Sequence, residues 1–164
     1  MQTQTRRLLL FTVAIGAMMA WLGSVDFAQG DNPFIGTWRL NIAKSKYSPA
    51  PGPRSSTTRI EATSNGVKYT VDQMSGVGES QHWEFSGAYD GKDNKVNGAN
   101  PNGDTVALTR VDANTVQQVN KLAGKVTTTQ VAVVSADRRT RTLTTTGTNL
   151  QGQAVSSVAV YDRQ

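Results

Sequence analysis

His82 is the single histidine of this 164-residue chain, and Ser80 and Glu84 beside it are of the types that make a nucleophile and a general base. General acid–base work and metal binding recruit several such groups at set geometry. Here the three residues alternate with Gln81, Trp83 and Phe85, which puts His82 on a polar, solvent-facing side of a strand and does not make a triad. Cysteine is absent, which excludes thiol nucleophiles, thiolate metal sites, disulfides and a lipid-modified cysteine. Asp90, Asp93, Asn94, Asn97, Asn100, Asn102 and Asp104 concentrate oxygen ligands in one region, but their register does not match a calcium loop. Asp90-Gly91, Asn97-Gly98 and Asn102-Gly103 account for them as turns. No catalytic residue, metal site or cofactor is nominated.

Binding chemistry is better represented. Arg110 shares its alternation face with Val106 and Leu108. If that face points inward, its guanidinium would receive a carboxylate or phosphate with two parallel hydrogen bonds. At the strand end it would instead reach solvent or stack on an aromatic ring. Tyr69, Trp83 and Phe85 fall on the apolar face of neighbouring strands and would either line a pocket or fill a small core. Thr-rich runs at 127–129 and 144–146 would, facing inward, suit an amphipathic cavity better than a greasy one.

The elements that position these groups read as strands. Residues 32–42, NPFIGTWRLNI, make a short apolar approach, a turn at Gly36 and an alternating strand. Three prolines in residues 49–53 then impose a long loop, with Tyr47 as its anchor on the fold. From residue 57 the pattern is a meander. Strands are expected at 57–63, 67–73, 79–86, 105–111, 115–122, 125–134, 140–148 and 154–161, joined by hairpin-length connections such as Asn65-Gly66. Residues 89–104 are a dense turn region with a short strand near Lys95 and Val96. Such a meander of roughly 8–10 antiparallel strands removes its bare edges by closing into an up-and-down β-barrel. A two-sheet sandwich is the alternative. Trp38 would plug the end where first and last strands meet.

The first 28 residues stand apart. Arg6-Arg7 precedes an apolar run at 8–23, the pattern of a secretory signal, either cleaved or kept as an anchor. The run is short for a membrane span, and the paired arginines leave a twin-arginine route open. An extracytoplasmic location is expected, with residues 29–164 as one domain. Without Arg6, Arg7 and Asp26 the chain has 15 basic and 11 acidic side chains, scattered singly except at Arg138-Arg139-Thr140-Arg141. No basic stripe is interleaved with aromatics, so a nucleic-acid partner is not expected.

Phe34-Ile35-Gly36-Thr37-Trp38 resembles the Gly-x-Trp opening of the calycins, the superfamily of lipocalins and fatty-acid-binding proteins. Residues 160–163 look like the terminal strand of the latter, and residues 36–41, 44–46, 89–93, 104–108 and 149–163 resemble small secreted bacterial lipocalin-like proteins. The resemblance implies a barrel with an internal cavity for a small apolar or amphipathic ligand, Tyr161 at the site, and Arg163 packed on Trp38 beside Gly36 at the barrel base. Departures accompany it. The Arg expected two residues before Tyr161 is Ala159, the two-helix lid is replaced by the proline-rich loop, and lipocalin disulfides and the C-terminal helix are missing.

The sequence-based expectation is an exported, monomeric, non-enzymatic barrel that binds or carries a small amphipathic molecule. It would contact membrane only through its N-terminal segment. The alternatives are a structural or interaction module of the cell envelope with a filled core, and, last, a hydrolase or isomerase.

Overall fold

Where apolar and polar side chains alternate with period two, one face of the backbone can be buried and the other left in water, and the chain becomes strand. The computed structural model describes residues 32–164, and the signal segment expected at 1–28 lies outside the described residues. Eleven strands follow in order: β1 Gly36–Lys46, β2 Ser55–Thr63, β3 Gly66–Met74, β4 Ser80–Gly87, β5 Asp90–Lys95, β6 Asn97–Gly98, β7 Thr105–Arg110, β8 Thr115–Leu122, β9 Lys125–Val134, β10 Thr140–Thr148 and β11 Ala154–Arg163. They form one antiparallel sheet in the order β5-β7-β8-β9-β10-β11-β1-β2-β3-β4-β6. The first strand lies between the last and the second, with Trp38 opposite Arg163 and Leu40 opposite Tyr161. The two ends of the sheet, β5 and β6, are consecutive in the chain, so the sheet curls round into a nearly closed up-and-down barrel.

Three details differ from the sequence reading. β1 continues to Lys46 through an irregularity after Asn41, so the proline-rich loop begins only at Tyr47. Thr144 and Thr146 of the second Thr-rich run point outward and are exposed, while Thr145 between them is buried. The turn region at 89–104 holds two short strands rather than one. β5 pairs with β7 and β6 pairs back with β4. These strands carry no apolar side chains, so no alternation announces them; ladder hydrogen bonds, with side-chain bonds from Lys121 to Asp93 and from Asn94 to Val106, hold them.

The interior is graded. Towards the end of the barrel that holds Trp38 (the base) the packing is apolar, with Phe34, Trp38, Ile60, Val67, Leu108, Val116 and Val134 fully buried. Towards the other end (the mouth), Ser56, Gln130, Thr145 and Ser157 are buried among the apolar groups. The mouth carries the proline-rich loop and the turn at Asn100-Pro101-Asn102.

Candidate functional site

The base is a closed structural device. Gly36 has φ +136°, and a Cβ there would lie 2.5 Å from Nη1 of Arg163. That close approach lets Arg163 donate from Nη1 to the Ile35 carbonyl (2.7 Å), from Nη2 to the Pro33 carbonyl (2.6 Å) and from Nε to the Arg138 carbonyl (2.6 Å). Its guanidinium carbon stands 4.3 Å from the Trp38 ring centroid, a cation–π contact. Trp38, fully buried, donates from Nε1 to the Phe34 carbonyl at 2.8 Å. Backbone carbonyls left bare by the turn into β1 are thereby satisfied from β11.

Arg110 belongs to this end as well. It lies outside the cavity described below, with its guanidinium carbon 4.3 Å from the Tyr89 ring and 5.7 Å from that of Phe34. Its Nη1 donates to the Ala113 carbonyl. Of the two placements open to it, the structure has the aromatic stack at the strand end. His82 is exposed on the outer face, its Nδ1 2.7 Å from Asp72 Oδ1. Among the described residues no group of three or more His, Cys, Asp or Glu side chains is placed to hold a metal ion.

Above the apolar base lies a cavity of about 190 Å³. Tyr69, Trp83, Phe85 and Tyr161, singled out in the sequence, all line it. Tyr69 and Phe85 are stacked, ring centroids 4.8 Å apart and planes 9° from parallel, because their strands place them directly opposite. Trp83 and Val71 form the next pair along the same ladder, giving a continuous flat apolar wall on β3 and β4. Tyr47 and Pro53, from the two ends of the proline-rich loop, and Asn100-Pro101-Asn102 border it at the mouth. Burial, and secondarily the neighbouring Tyr161 hydroxyl, raises the Tyr47 pKa above its ordinary value, partly offset by Ser45.

The opposite wall, β10 and β11, carries the group that sequence reasoning passed over. Arg141 is 4% exposed and lines the cavity. Its Nε and Nη1 are buried without a hydrogen-bond partner. The guanidinium carbon is 5.3 Å from the Tyr161 ring, whose residue is its register partner. No Asp, Glu, His or Lys is among the lining residues, so the cavity supplies no counter-ion. The position two before Tyr161, Ala159, also lines the cavity, opposite Leu143. The interior cation therefore comes from the neighbouring strand. The signal was present: Arg141 alternates in phase with Leu143 and Thr145, but it stood at the start of its strand within the one cluster of basic residues.

Comparison with family models and with curated proteins gives no match. Among solved structures the chain is similar to a zebrafish ileal bile acid-binding protein crystallised with cholic acid, at a TM-score of 0.46 and 15% identity over 80% of this chain and 99% of that one.

Proposed function

We propose that this protein is a non-enzymatic binding barrel whose cavity takes a small amphipathic anion, with the acid group on Arg141 and the apolar body against Trp83, Phe85 and Tyr69. The observation that carries the reading is the buried Arg141, which lines a cavity without an acidic lining residue and whose Nε and Nη1 have no hydrogen-bond partner. Removing a charge from water is costly unless a partner and hydrogen bonds offset it. A bound carboxylate, sulfonate or phosphate would supply both. The lining has no His, carboxylate or Lys to move a proton near neutral pH, which favours carriage over catalysis. A filled core would have favoured the envelope-module alternative, and this interior is not filled. The charged start and apolar run at residues 6–23 support export of the barrel.

The test is fluorescence titration with 8-anilinonaphthalene-1-sulfonate, an aromatic anion, against the wild-type chain and Arg141→Met. Saturable binding that weakens at least about tenfold in the variant is expected, the loss of one charge-assisted contact being worth roughly 1.5–3 kcal/mol. Equal affinity for both would sink the assignment.

A further inference from the structure

On the wall that holds Arg141, the strand register sorts the cavity into three levels. Arg141 is opposite Tyr161 nearest the base, Leu143 then stands between Ala132 and Ala159, and Thr145 stands between Gln130 and Ser157. Gln118 is the partner of Gln130 on the next strand. The third level is therefore an unbroken row of four polar side chains on β8 to β11, Gln118, Gln130, Thr145 and Ser157, and all four line the cavity. Four residues along β10 carry the chain from Arg141 to Thr145, roughly 13 Å of strand, with the apolar level between them.

The ends of the row are tied. Gln118 donates from Nε2 to Oδ1 of Asn120 (3.3 Å), and Asn120 donates from Nδ2 to Oγ1 of Thr128 (3.1 Å), both of these residues being fully buried. Ser157 Oγ accepts from the Ser48 backbone N–H at 3.1 Å and donates to the Ser48 carbonyl at 3.3 Å. The middle is open. Gln130 and Thr145 are 7% and 8% exposed. Among the described residues neither side chain makes a hydrogen bond, yet none of their polar atoms is sealed off as Nε and Nη1 of Arg141 are. Both side chains point into the barrel and line the cavity, so the surface that the amide and the hydroxyl keep is cavity surface.

We infer that the cavity selects acids built on a single ring with a hydroxyl at the end remote from the acid. Arg141 takes the acid, the apolar level and the aromatic wall take the ring, and Gln130 and Thr145 take the hydroxyl. The inference rests on the anion-binding reading above and adds to it two specificity residues and a ligand shape. The size follows from the volume. About 190 Å³ compares with the roughly 150 Å³ in which an apolar cavity holds benzene, which leaves room for the acid group. The hydroxyl follows from the open middle of the row. A carboxamide both donates and accepts, and so does a hydroxyl. A ring that turned only C–H groups to this row would take the Gln130 amide and the Thr145 hydroxyl out of water unpaired, at a cost in affinity.

The experiment is calorimetric titration of benzoate against 4-hydroxybenzoate and of cinnamate against 4-hydroxycinnamate. The two pairs differ in length, so the span between the guanidinium and the row is sampled twice. The proteins are the wild-type chain, Gln130→Leu combined with Thr145→Val, each of those single variants, and Arg141→Met. In the wild type at least one hydroxy acid is expected to bind about tenfold tighter than its plain counterpart. The double variant should lose that preference while holding the plain acids at least as tightly, and each single variant should reduce it, which keeps the test decisive if the double variant does not fold. If the hydroxy acids bind wild type no tighter than the plain ones, or if the preference survives in the variants, the hydroxyl site is overturned while the Arg141 reading stands. If no acid binds, or Arg141→Met binds them all as well as wild type, the anion reading falls and this inference with it.

Discussion

Arg141 lines the cavity with Nε and Nη1 buried and unpaired and no acidic residue in the lining, so its present environment disfavours the empty protein. Met at this position keeps the volume and removes the charge. Arg141→Met is therefore expected to raise the unliganded stability by about 1 kcal/mol or more while weakening anion binding at least about tenfold. Chemical denaturation read beside the titration separates the two, and a variant that loses both stability and binding would instead mark Arg141 as structural. Gly36 behaves in the opposite sense. Ala there must hold φ near +136° and displace the Arg163 guanidinium from the Ile35 and Pro33 carbonyls. Gly36→Ala is expected to destabilise by about 2–4 kcal/mol, with anion affinity per folded molecule unchanged, since the base and cavity are separate. A stability change within about 0.5 kcal/mol would refute this account of Gly36, for that is the range of surface substitutions.

At the scale of elements, the weakest part of the wall is the seam where β4 meets β5 through β6. β6 contributes only two residues to its ladder, opposite Trp83 and Glu84. Asn94 of β5, tied to β7 by donating from Nδ2 to the Val106 carbonyl, meets β4 across the seam by occupying the space where a Cβ on Gly87 would be, 2.5 Å away. By contrast β9, β10 and β11 pair along almost their whole lengths. Amides of β5 and β6 should accordingly exchange with solvent water well before those of β10, and Gly87→Ala should speed exchange at the seam without altering β10. Uniform protection around the barrel would contradict this reading.

Over the whole molecule, one buried and one half-buried tyrosine link stability to pH. Burial, then Tyr89, raises the Tyr69 pKa, and burial, then Tyr161, raises that of Tyr47. The unfolded chain releases these protons above its ordinary value of about 10, while the folded barrel holds them. The stabilisation is complete below that pH and is lost as pH rises towards the raised folded values. Melting temperature is expected to hold steady from about pH 7 to 9 and then to fall. Tyr69→Phe should make the fall shallower, and an unchanged slope would show that Tyr69 ionisation is not involved. A saturating ligand present at about 100 times its dissociation constant would add roughly 2.7 kcal/mol at any of these pH values.

The sequence by itself determined the strands that bury one face, because period-two alternation is a local property that survives without knowledge of neighbours. Residues 115–122, 125–134 and 140–148 were bounded as the structure has them. The aromatic wall was legible for the same reason: Tyr69, Trp83 and Phe85 sit in phase on adjacent strands joined by a short turn. β5 and β6 were not, since polar strands are specified by ladder bonds to partners distant in sequence. The receptor for an anion was likewise decided in three dimensions. Arg110 and Arg141 both stand in phase with buried neighbours, and periodicity cannot tell them apart. Only the curling of the sheet puts one against Tyr89 at the base and the other, opposite Tyr161, into an acid-free cavity. Whether a guanidinium has a partner depends on what the far wall brings to it, and that far wall exists only once β1 and β11 have met.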